Sequence, residues 1–261
     1  MTDVVSCKIS PNIMQNLTYH IAFTDHERRL VSALEGPPKV VSKGTRLWEP
    51  DEAPRYLYSV HQGWAYTFHR TADNSEQILD IGLPGDVMGL RDLTFTAHYT
   101  ATEMLTDGIV RPIPVENIHR LFQVAPRVAM ALYAATARQQ RTITQRLINV
   151  LSNDAGSRIA HFALEVHHRL SRSNATVGNT FTLPLTQRQL SLMLGMSEVH
   201  VSRTLSDLAA RCLVRRQRQS IDILDFEELA RIAHFQPERF SDTLNPALST
   251  LDAPSLEGTA S

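Results

Sequence analysis

The sequence predicts a protein of the α+β class, in which an antiparallel barrel or jelly roll precedes a long helix and a small helical domain that ends in a hairpin. Three observations predict this class. Residues 23–114 contain short β segments separated by turn residues, and residues 127–152 contain neither glycine nor proline. Residues 183–208 then have the pattern of two helices joined at a glycine.

Length and composition are those of a globular chain that is large enough for two domains. The 261 residues are 43% hydrophobic and 20% charged, with a formal net charge of -1, so a packed core is expected. The sequence contains no eighteen-residue apolar run and no signal-peptide pattern at its polar start. The two cysteines, Cys7 and Cys212, are too few for a disulfide framework or a four-cysteine cluster. We expect a cytoplasmic protein with no membrane partner.

Eight short strands are predicted in the β region, and their spacing favours a small barrel or jelly roll. Turn residues such as Gly63 and Asp73–Asn74 separate the strands. A helix from Thr24 to Glu35 should precede them, because Thr24 and Glu27 have capping-box spacing. The predicted strands are Lys39–Val41, Arg46–Trp48, Tyr56–Val60, Gly63–His69, Glu76–Ile81, Asp86–Met88, Tyr99–Met104 and Gly108–Ile113.

The pattern becomes helical after Pro114. A short helix is expected over Val115–Phe122, and Pro126 suits the first turn of a long helix that continues to about Ser152. The long helix would span about 39 Å, so it is either a long core helix or one that pairs with its copy in a dimer. Its apolar or small residues recur at helical spacing, at Val128, Leu132, Ala135, Ile143, Leu147 and Val150.

Three further segments follow the long helix. Asp154 is a candidate cap for a helix over Ser157–Leu170, and Ser171–Gly178 is predicted to be a polar loop. From Phe235 onward the sequence lacks periodicity and is predicted to be a mobile tail.

Residues 183–208 predict a helix-turn-helix. Thr186 and Gln189 form a capping box at the start of the first helix, and Gly195 suits the left-handed residue that ends it. Ser197 is a suitable cap for the second helix. This arrangement places a second helix in the major groove of DNA, although a simple helical hairpin would have the same elements.

The second helix has a buried stripe and an open face. Val201, Leu205 and Leu208 form the stripe at helical spacing. On the open face, Arg203 has the geometry to bond two acceptors of guanine, and Ser202 could reach a base or a phosphate. The open face comprises Val199, His200, Ser202, Arg203 and Ser206.

A basic hairpin is expected next, because Leu213–Val214 and Ser220–Leu224 are predicted strands joined by residues 215–219. Arg215, Arg216 and Arg218 at its tip would lie against phosphate, as a wing. Residues 151–220 carry nine basic and four acidic side chains, whereas residues 221–261 carry two and eight. This asymmetry suggests a segment that meets an anion, although a solvated charged face would show the same count.

These stretches resemble the Crp–Fnr superfamily of bacterial transcription regulators over about residues 20–235. The resemblance rests on Gly63-Trp64-Ala65 with Leu83-Pro-Gly-Asp-Val-Met-Gly-Leu, on the long helix before Asp154, and on Leu-Thr-Gln-Arg-Gln-Leu and Val-Ser-Arg-Thr-Leu in the winged helix-turn-helix. It implies a β-roll that senses a signal, a long helix that forms the dimer, and a recognition helix that reads a two-fold symmetric site. It also implies that Ser202 and Arg203 match family positions that touch DNA.

The sequence departs from the family pattern at the sensing positions. Leu90 follows Gly89 where cyclic-AMP-binding members have a glutamate, and Tyr99–Thr100 replaces their arginine-containing pair. A cyclic phosphate would therefore lack its cationic partner, and we expect no control by cyclic AMP. Cys7 alone cannot hold the iron–sulfur cluster of the oxygen-sensing branch.

A departure at the DNA-reading positions changes the expected target. Many members have a glutamate at the position of Val199, and its absence removes a carboxylate that could accept from cytosine. A different half-site is therefore expected, to which Glu198 or His200 could contribute.

The fold class that follows is α+β, with an antiparallel, jelly-roll-like β-roll sensor domain, a dimerisation helix and a winged helix-turn-helix domain. The expected boundaries are an N-terminal tail (1–20), a cyclic-nucleotide-binding-like β-roll (21–123), the dimerisation helix (124–153), the winged helix-turn-helix domain (154–235) and a disordered acidic tail (236–261). The expected partners are double-stranded DNA, a second copy of the chain, RNA polymerase if the protein is an activator, and an unidentified small-molecule effector. No cofactor, metal or catalytic residue is expected. The candidate DNA-binding residues are Thr186, Gln187, Arg188, Ser197, Glu198, Val199, His200, Ser202, Arg203, Ser206, Arg215, Arg216 and Arg218, and the candidate ligand-pocket residues are Gly89, Leu90, Tyr99 and Thr100.

The alternative is a β-barrel metal or small-molecule enzyme with an appended helical domain. His61, His69 and His98 lie in or near the β region, but they lack the spacing of cupin metal ligands and are expected to be surface or hydrogen-bonded histidines. His167 and His168 point in different directions around their predicted helix and do not form a chelate. Cys212 is expected to be a packed core thiol, because a redox switch would require exposure near the neighbouring arginines.

Overall fold

The structure is a computed structural model, and it describes residues 13–18, 21–72, 75–173 and 175–236. Within this part the chain forms eight α-helices, eleven strands and one 3-10 turn, η1, at Leu90–Asp92. The helices are α1 (Ile13–Thr18), α2 (Asp25–Ser32), α3 (Val115–Val124), α4 (Pro126–Ser152), α5 (Ala155–Arg172), α6 (Gln187–Leu194), α7 (Glu198–Ala210) and α8 (Phe226–Ile232). The strands are β1 (Lys39–Val41), β2 (Arg46–Trp48), β3 (Tyr56–Gln62), β4 (Ala65–Arg70), β5 (Glu76–Gly82), β6 (Val87–Met88), β7 (Ala101–Met104), β8 (Gly108–Pro114), β9 (Thr180–Thr182), β10 (Val214–Gln217) and β11 (Ser220–Ile223).

The N-terminal domain is the predicted β-roll. Two four-stranded antiparallel sheets, with strand orders β1-β8-β3-β6 and β2-β7-β4-β5, contain all eight strands expected from the sequence. The strand expected from Gly63 begins at Ala65, because Gly63 has a φ of +83°. A Cβ at Gly63 would lie 2.5 Å from the carbonyl oxygen of Asp107, so this tight turn requires glycine. The α+β class and the β-roll are confirmed.

Helices α1 and α2 pack against the β-roll. The expected tail over residues 1–20 contains α1, in which Asn16 donates to the carbonyl of Gly85 at 2.9 Å. Helix α2 begins with the predicted capping box of Thr24 and Glu27 but ends at Ser32. The expectation that it continues to Glu35 is wrong, because the Glu35 carboxylate instead accepts from the Ser59 hydroxyl of β3 at 2.5 Å.

The buried side of the long helix α4 is apolar in its first half and polar in its second half. In its first half, Val128, Leu132 and Ala135 are buried against the β-roll. In its second half the buried residues are polar, namely Thr142, Arg146 and Asn149. The apolar spacing of the sequence therefore does not mark one continuous buried stripe, and Leu147 is exposed.

The C-terminal domain packs around α5, which runs two residues beyond the predicted helix at each end. A three-stranded sheet in the order β10-β11-β9 covers one side, and neither β9 nor α8 was expected from the sequence. Phe235 is buried, with its ring 5.5 Å from that of His161, so the expectation of a tail from Phe235 is wrong at that residue. Cys7, Asp73–Asn74 and residues 237–261 lie outside the described part. No helix in the described part is long and apolar enough to cross a membrane.

Candidate nucleic-acid interface

The helix-turn-helix is α6 and α7, and local hydrogen bonds define its limits. The Thr186 hydroxyl accepts from the amide of Gln189 at 3.1 Å, and the Gln189 side chain accepts from the amide of Thr186 at 2.9 Å. Gly195 ends α6 with φ 62° and ψ 44°, a conformation that costs glycine little. The Ser197 hydroxyl then accepts from the amide of His200 and begins α7. Both predicted caps and the glycine turn are present in the structure.

Helix α7 presents its polar face to solvent. Val201, Leu205 and Leu208 are buried in the domain core, as the spacing predicted. Ser202 is half-buried, and the Ser206 hydroxyl donates to the carbonyl of Ser202 at 3.1 Å. The exposed residues of the predicted reading face are Glu198, Val199, His200, Arg203 and Ser206.

A groove of about 430 Å³ lies between the start of α6 and the first turns of α7. Gln187, Glu198, Val199, Ser202 and Arg203 line it, so the structure brings five of the predicted DNA-binding residues together. Four of the five carry hydrogen-bonding groups of the kinds that recognise base edges in a major groove, and the fifth, Val199, is apolar. Arg188 lies beside the groove, with its guanidinium 3.9 Å from the Glu198 carboxylate.

The wing is the hairpin of β10 and β11, but its arginines do not all lie at the tip. Arg215 and Arg216 are in β10, opposite Asp222 and Ile221. Arg215 pairs with Asp222 at 2.9 Å, and Arg216 donates to a carbonyl near α6, that of Leu185, at 3.0 Å. Of the three expected tip residues, the structure places one there.

Arg218 occupies the turn of the wing with a φ of +51°. It is exposed, and its side chain forms no hydrogen bond or ion pair with the described residues. Its charge is thus available to an anion such as a DNA phosphate.

A buried ionic network joins the β-roll to the C-terminal domain, and sequence reasoning missed it. Arg146 of α4 binds both oxygens of the Glu165 carboxylate, at 2.6 and 2.8 Å, and Asp80 of β5 at 2.9 Å. Arg169 of α5 contacts Glu165 at 3.2 Å and Asp86 at 2.6 Å. The one sequence signal is that the polar residues Thr142, Arg146 and Asn149 have the spacing of a single helix face.

The network carboxylates are ionised. Burial alone would raise the pKa of Asp80 and of Glu165, but the guanidiniums of Arg146 and Arg169 outweigh burial and hold both pKa values below their usual range. The same carboxylates raise the pKa of Arg146 against the effect of its own burial. A second contact between the domains is made by Gln77 of β5, which donates to the carbonyl of Leu192 in α6.

The candidate ligand-pocket residues lie in different environments. Gly89 is left-handed with a φ of +94°, and Leu90 is buried in the apolar core beside α4. The carbonyl of Thr100 accepts from the indole of Trp48 at 2.9 Å. Tyr99 is exposed, and its ring stacks on that of His69 at 5.5 Å. Leu90 and Tyr99 therefore offer no charged group to a phosphate.

The three histidines considered as metal ligands in the β region have side-chain partners. His61 lies 3.3 Å from the Glu35 carboxylate, His98 lies 2.8 Å from that of Asp92, and His69 stacks on Tyr99. Within the described residues, no three histidine, cysteine, aspartate or glutamate side chains are grouped to hold a metal ion.

Cys212 differs from its expected position. It is exposed rather than a packed core thiol, and it has a φ of +54°. The chain reverses direction there after α7, and the buried position falls to the next residue, Leu213.

A capped helix-turn-helix with an exposed second helix and a basic wing, attached to a β-roll, defines a winged-helix DNA-binding regulator with a separate N-terminal domain. Residues 38–124 match the cyclic nucleotide-binding domain model, and residues 157–232 match the Crp-like helix-turn-helix domain model. The two models together cover more than half of the chain, which belongs to the Crp–Fnr superfamily of transcription regulators.

Individual relatives agree with this assignment along most of the chain. The "Probable transcriptional regulator flp" of Lacticaseibacillus casei is 29% identical over 87% of this chain and 98% of its own length. The transcriptional activator protein Anr of Pseudomonas protegens is 25% identical over 74% of this chain and 79% of its own. The solved structure of FixK2 from Bradyrhizobium japonicum has a TM-score of 0.69 and 26% identity, over 75% of this chain and 96% of that chain.

Proposed function

We propose that this regulator binds a palindromic promoter site as a homodimer, with the face of α7 reading bases and the wing contacting phosphate. The observation that carries the proposal is the set of polar side chains around the α7 groove, which no other part of the described chain covers. Base-edge contacts of such residues give specificity, whereas arginines on phosphates mainly position the protein. The residues proposed to touch DNA are the predicted residues of the helix-turn-helix, with Arg218 as the phosphate contact at the wing tip.

The exposed face of α4 supports a dimer. Tyr133 is 67% exposed, Leu147 57% and Leu151 74%, although each is large and apolar. They belong to a series with alternating spacings of four and three residues, which is the spacing of a coiled-coil seam. A second copy related by a two-fold axis would bury this seam. The series is Tyr133, Ala137, Gln140, Thr144, Leu147 and Leu151.

The β-roll is proposed to sense an unidentified signal other than cyclic AMP, or none. This part of the proposal rests on Leu90 and Tyr99, which supply no cation to a cyclic phosphate. A regulator of this kind would act on DNA in the cytoplasm, without catalysing a reaction, and would meet RNA polymerase if it activates transcription.

Selection of binding sites from random duplex DNA, with purified protein and no added ligand, tests the function. We expect enrichment of an inverted repeat whose half-sites are about one helical turn apart. Enrichment of a single half-site would contradict the dimer, and no enrichment, either alone or with cell extract added, would contradict sequence-specific binding.

Sedimentation of a seam variant tests the dimer directly. Leu147→Arg should convert dimers to monomers, because it places a charge where an apolar side chain would be buried. Val177→Arg is the matched control, since Val177 is an exposed apolar residue outside the seam. Equal dimer content in both variants would remove α4 from the interface.

A further inference from the structure

Val199 is an exposed apolar side chain in the groove between α6 and α7. It is 68% exposed, whereas Val201, two residues further along the same helix, is fully buried. Val201 belongs to the domain core, whereas the exposed Val199 does not. The groove around Val199 is otherwise lined by the polar side chains of Gln187, Glu198, Ser202 and Arg203.

The chemistry of valine limits what this position can recognise. A valine side chain has no hydrogen-bond donor or acceptor, so it cannot read the polar edge of a base. In the major groove the one apolar group presented by the four common bases is the 5-methyl group of thymine. Residues at the start of a recognition helix are those that contact base edges, and Val199 is in the first turn of α7.

We propose that Val199 reads the 5-methyl group of a thymine in each half-site. This inference rests on the proposed function and adds the base that one residue selects. The neighbouring Glu198 carboxylate has a cation of the protein itself nearby, since it lies 3.9 Å from the guanidinium of Arg188.

The neighbouring residues locate the thymine relative to the rest of the site. Arg203 is four residues after Val199, about 6 Å along the helix axis, and both line the same groove. Successive base pairs are about 3.4 Å apart, so the thymine should lie within two base pairs of the guanine that Arg203 is proposed to read.

The test replaces single thymines by deoxyuridine, which lacks only the 5-methyl group. The probe is the palindromic duplex enriched by the wild-type protein, with deoxyuridine placed at each thymine of both half-sites in turn. We expect one position at which binding weakens about fourfold per half-site, the change that corresponds to one buried methyl group. With Val199→Ala, the same replacement should change affinity less than twofold.

Matched variants separate a base contact from a loss of fold. Val40→Ala removes the same atoms from an exposed valine in the β-roll, and it should keep the full deoxyuridine effect. Val199→Glu should shift the selected base at this position towards cytosine, whose amino group would donate to the new carboxylate.

Two outcomes would overturn the inference while leaving the proposed function intact. One is an equal affinity for thymine and deoxyuridine at every position of the wild-type site. The other is a Val199→Ala protein that retains the deoxyuridine effect. If wild-type selection enriches no sequence at all, the proposed function fails first, and the inference fails with it.

Discussion

The arginines of this protein fall into two groups with opposite surroundings. Arg146 and Arg169 are in the buried network, where carboxylates occupy their donors at 2.6 to 3.2 Å. Arg203 and Arg218 are exposed in the helix-turn-helix and wing, and their side chains form no ion pair with the described residues. The same guanidinium group is therefore structural where the protein supplies its anions, and available for binding where it does not.

This difference predicts which property, folding or DNA binding, each kind of substitution should change. A buried ion pair adds little net stability, since desolvation offsets its attraction, but removing one partner leaves the other charge uncompensated. Replacing an exposed arginine costs the free protein little stability. Network variants should therefore change folding, and interface variants should change binding.

The largest effect is expected for Arg146→Met. It would leave the Asp80 and Glu165 carboxylates buried without their nearest guanidinium, with Arg169 at 4.0 and 3.2 Å from them, and should lower the free energy of unfolding by about 3–5 kcal/mol. Urea denaturation followed by circular dichroism measures this change. Arg203→Met, the matched exposed variant, should change stability by less than about 0.5 kcal/mol. Equal losses in the two variants would erase the distinction between the groups.

The next effect is on sequence preference. Arg203→Ala should cost about 1–3 kcal/mol on the selected site, the value of a bidentate contact to guanine. Most of the affinity for unrelated DNA should remain, because phosphate contacts supply it. Competition binding with specific and random duplexes measures both. Arg211→Ala is the control, since this exposed arginine lies near Asp207 and Glu228 after α7; if it reduced preference equally, Arg203 would not be the reading residue.

The sequence predicted the interface better than the network, and the reason is physical. Capping boxes, a left-handed glycine and a helix stripe depend on residues within one or two turns of each other, so Thr186, Gly195 and Ser197 reveal them. The network joins Asp80 to Arg146 and Arg146 to Glu165 across three elements, and no local pattern brings these residues together. Only the tertiary packing of β5, α4 and α5 does so.

The errors within the interface have the same cause. The hairpin was predicted, but its pairing register places Arg215 and Arg216 in a strand rather than at the tip. Cys212 was expected to be packed, but its left-handed backbone gives the buried position to Leu213. The pairing register of the hairpin and the backbone reversal at Cys212 depend on contacts outside each segment. A local sequence pattern does not contain those contacts.

A third prediction concerns pH and a histidine beside the network. Burial lowers the pKa of His161 below its ordinary value of 6.5, with Arg146 adding to this effect and Glu165 opposing it. The unfolded chain therefore binds this proton at a higher pH than the folded chain, so stability should fall as pH drops below about 6.5. The slope from this residue is at most about 1.4 kcal/mol per pH unit.

Urea denaturation at several pH values between 5 and 7.5 measures that slope. His161→Gln should flatten it, and His26→Gln, at an exposed histidine, is the matched control for the loss of an imidazole. The network carboxylates do not obscure the result. Because the folded state lowers their pKa, the stability that they contribute is lost only below their ordinary pKa values near 4. A slope that is the same in both variants would show that His161 takes up its proton equally in the folded and unfolded states.

The smallest effect is expected for single substitutions of the wing arginines, which should differ from one another. Replacing all three should weaken every DNA sequence alike, but only Arg218 is at the tip with its charge unengaged. Arg218→Ala should therefore reduce the slope of log affinity against log salt by about 0.9 per wing, with the stability unchanged. Arg216→Ala should instead destabilise the domain by about 1 kcal/mol, since its guanidinium donates to the carbonyl of Leu185. An unchanged salt slope for Arg218→Ala would mean that the wing tip does not reach a phosphate, and that exposure alone does not make an arginine part of the interface.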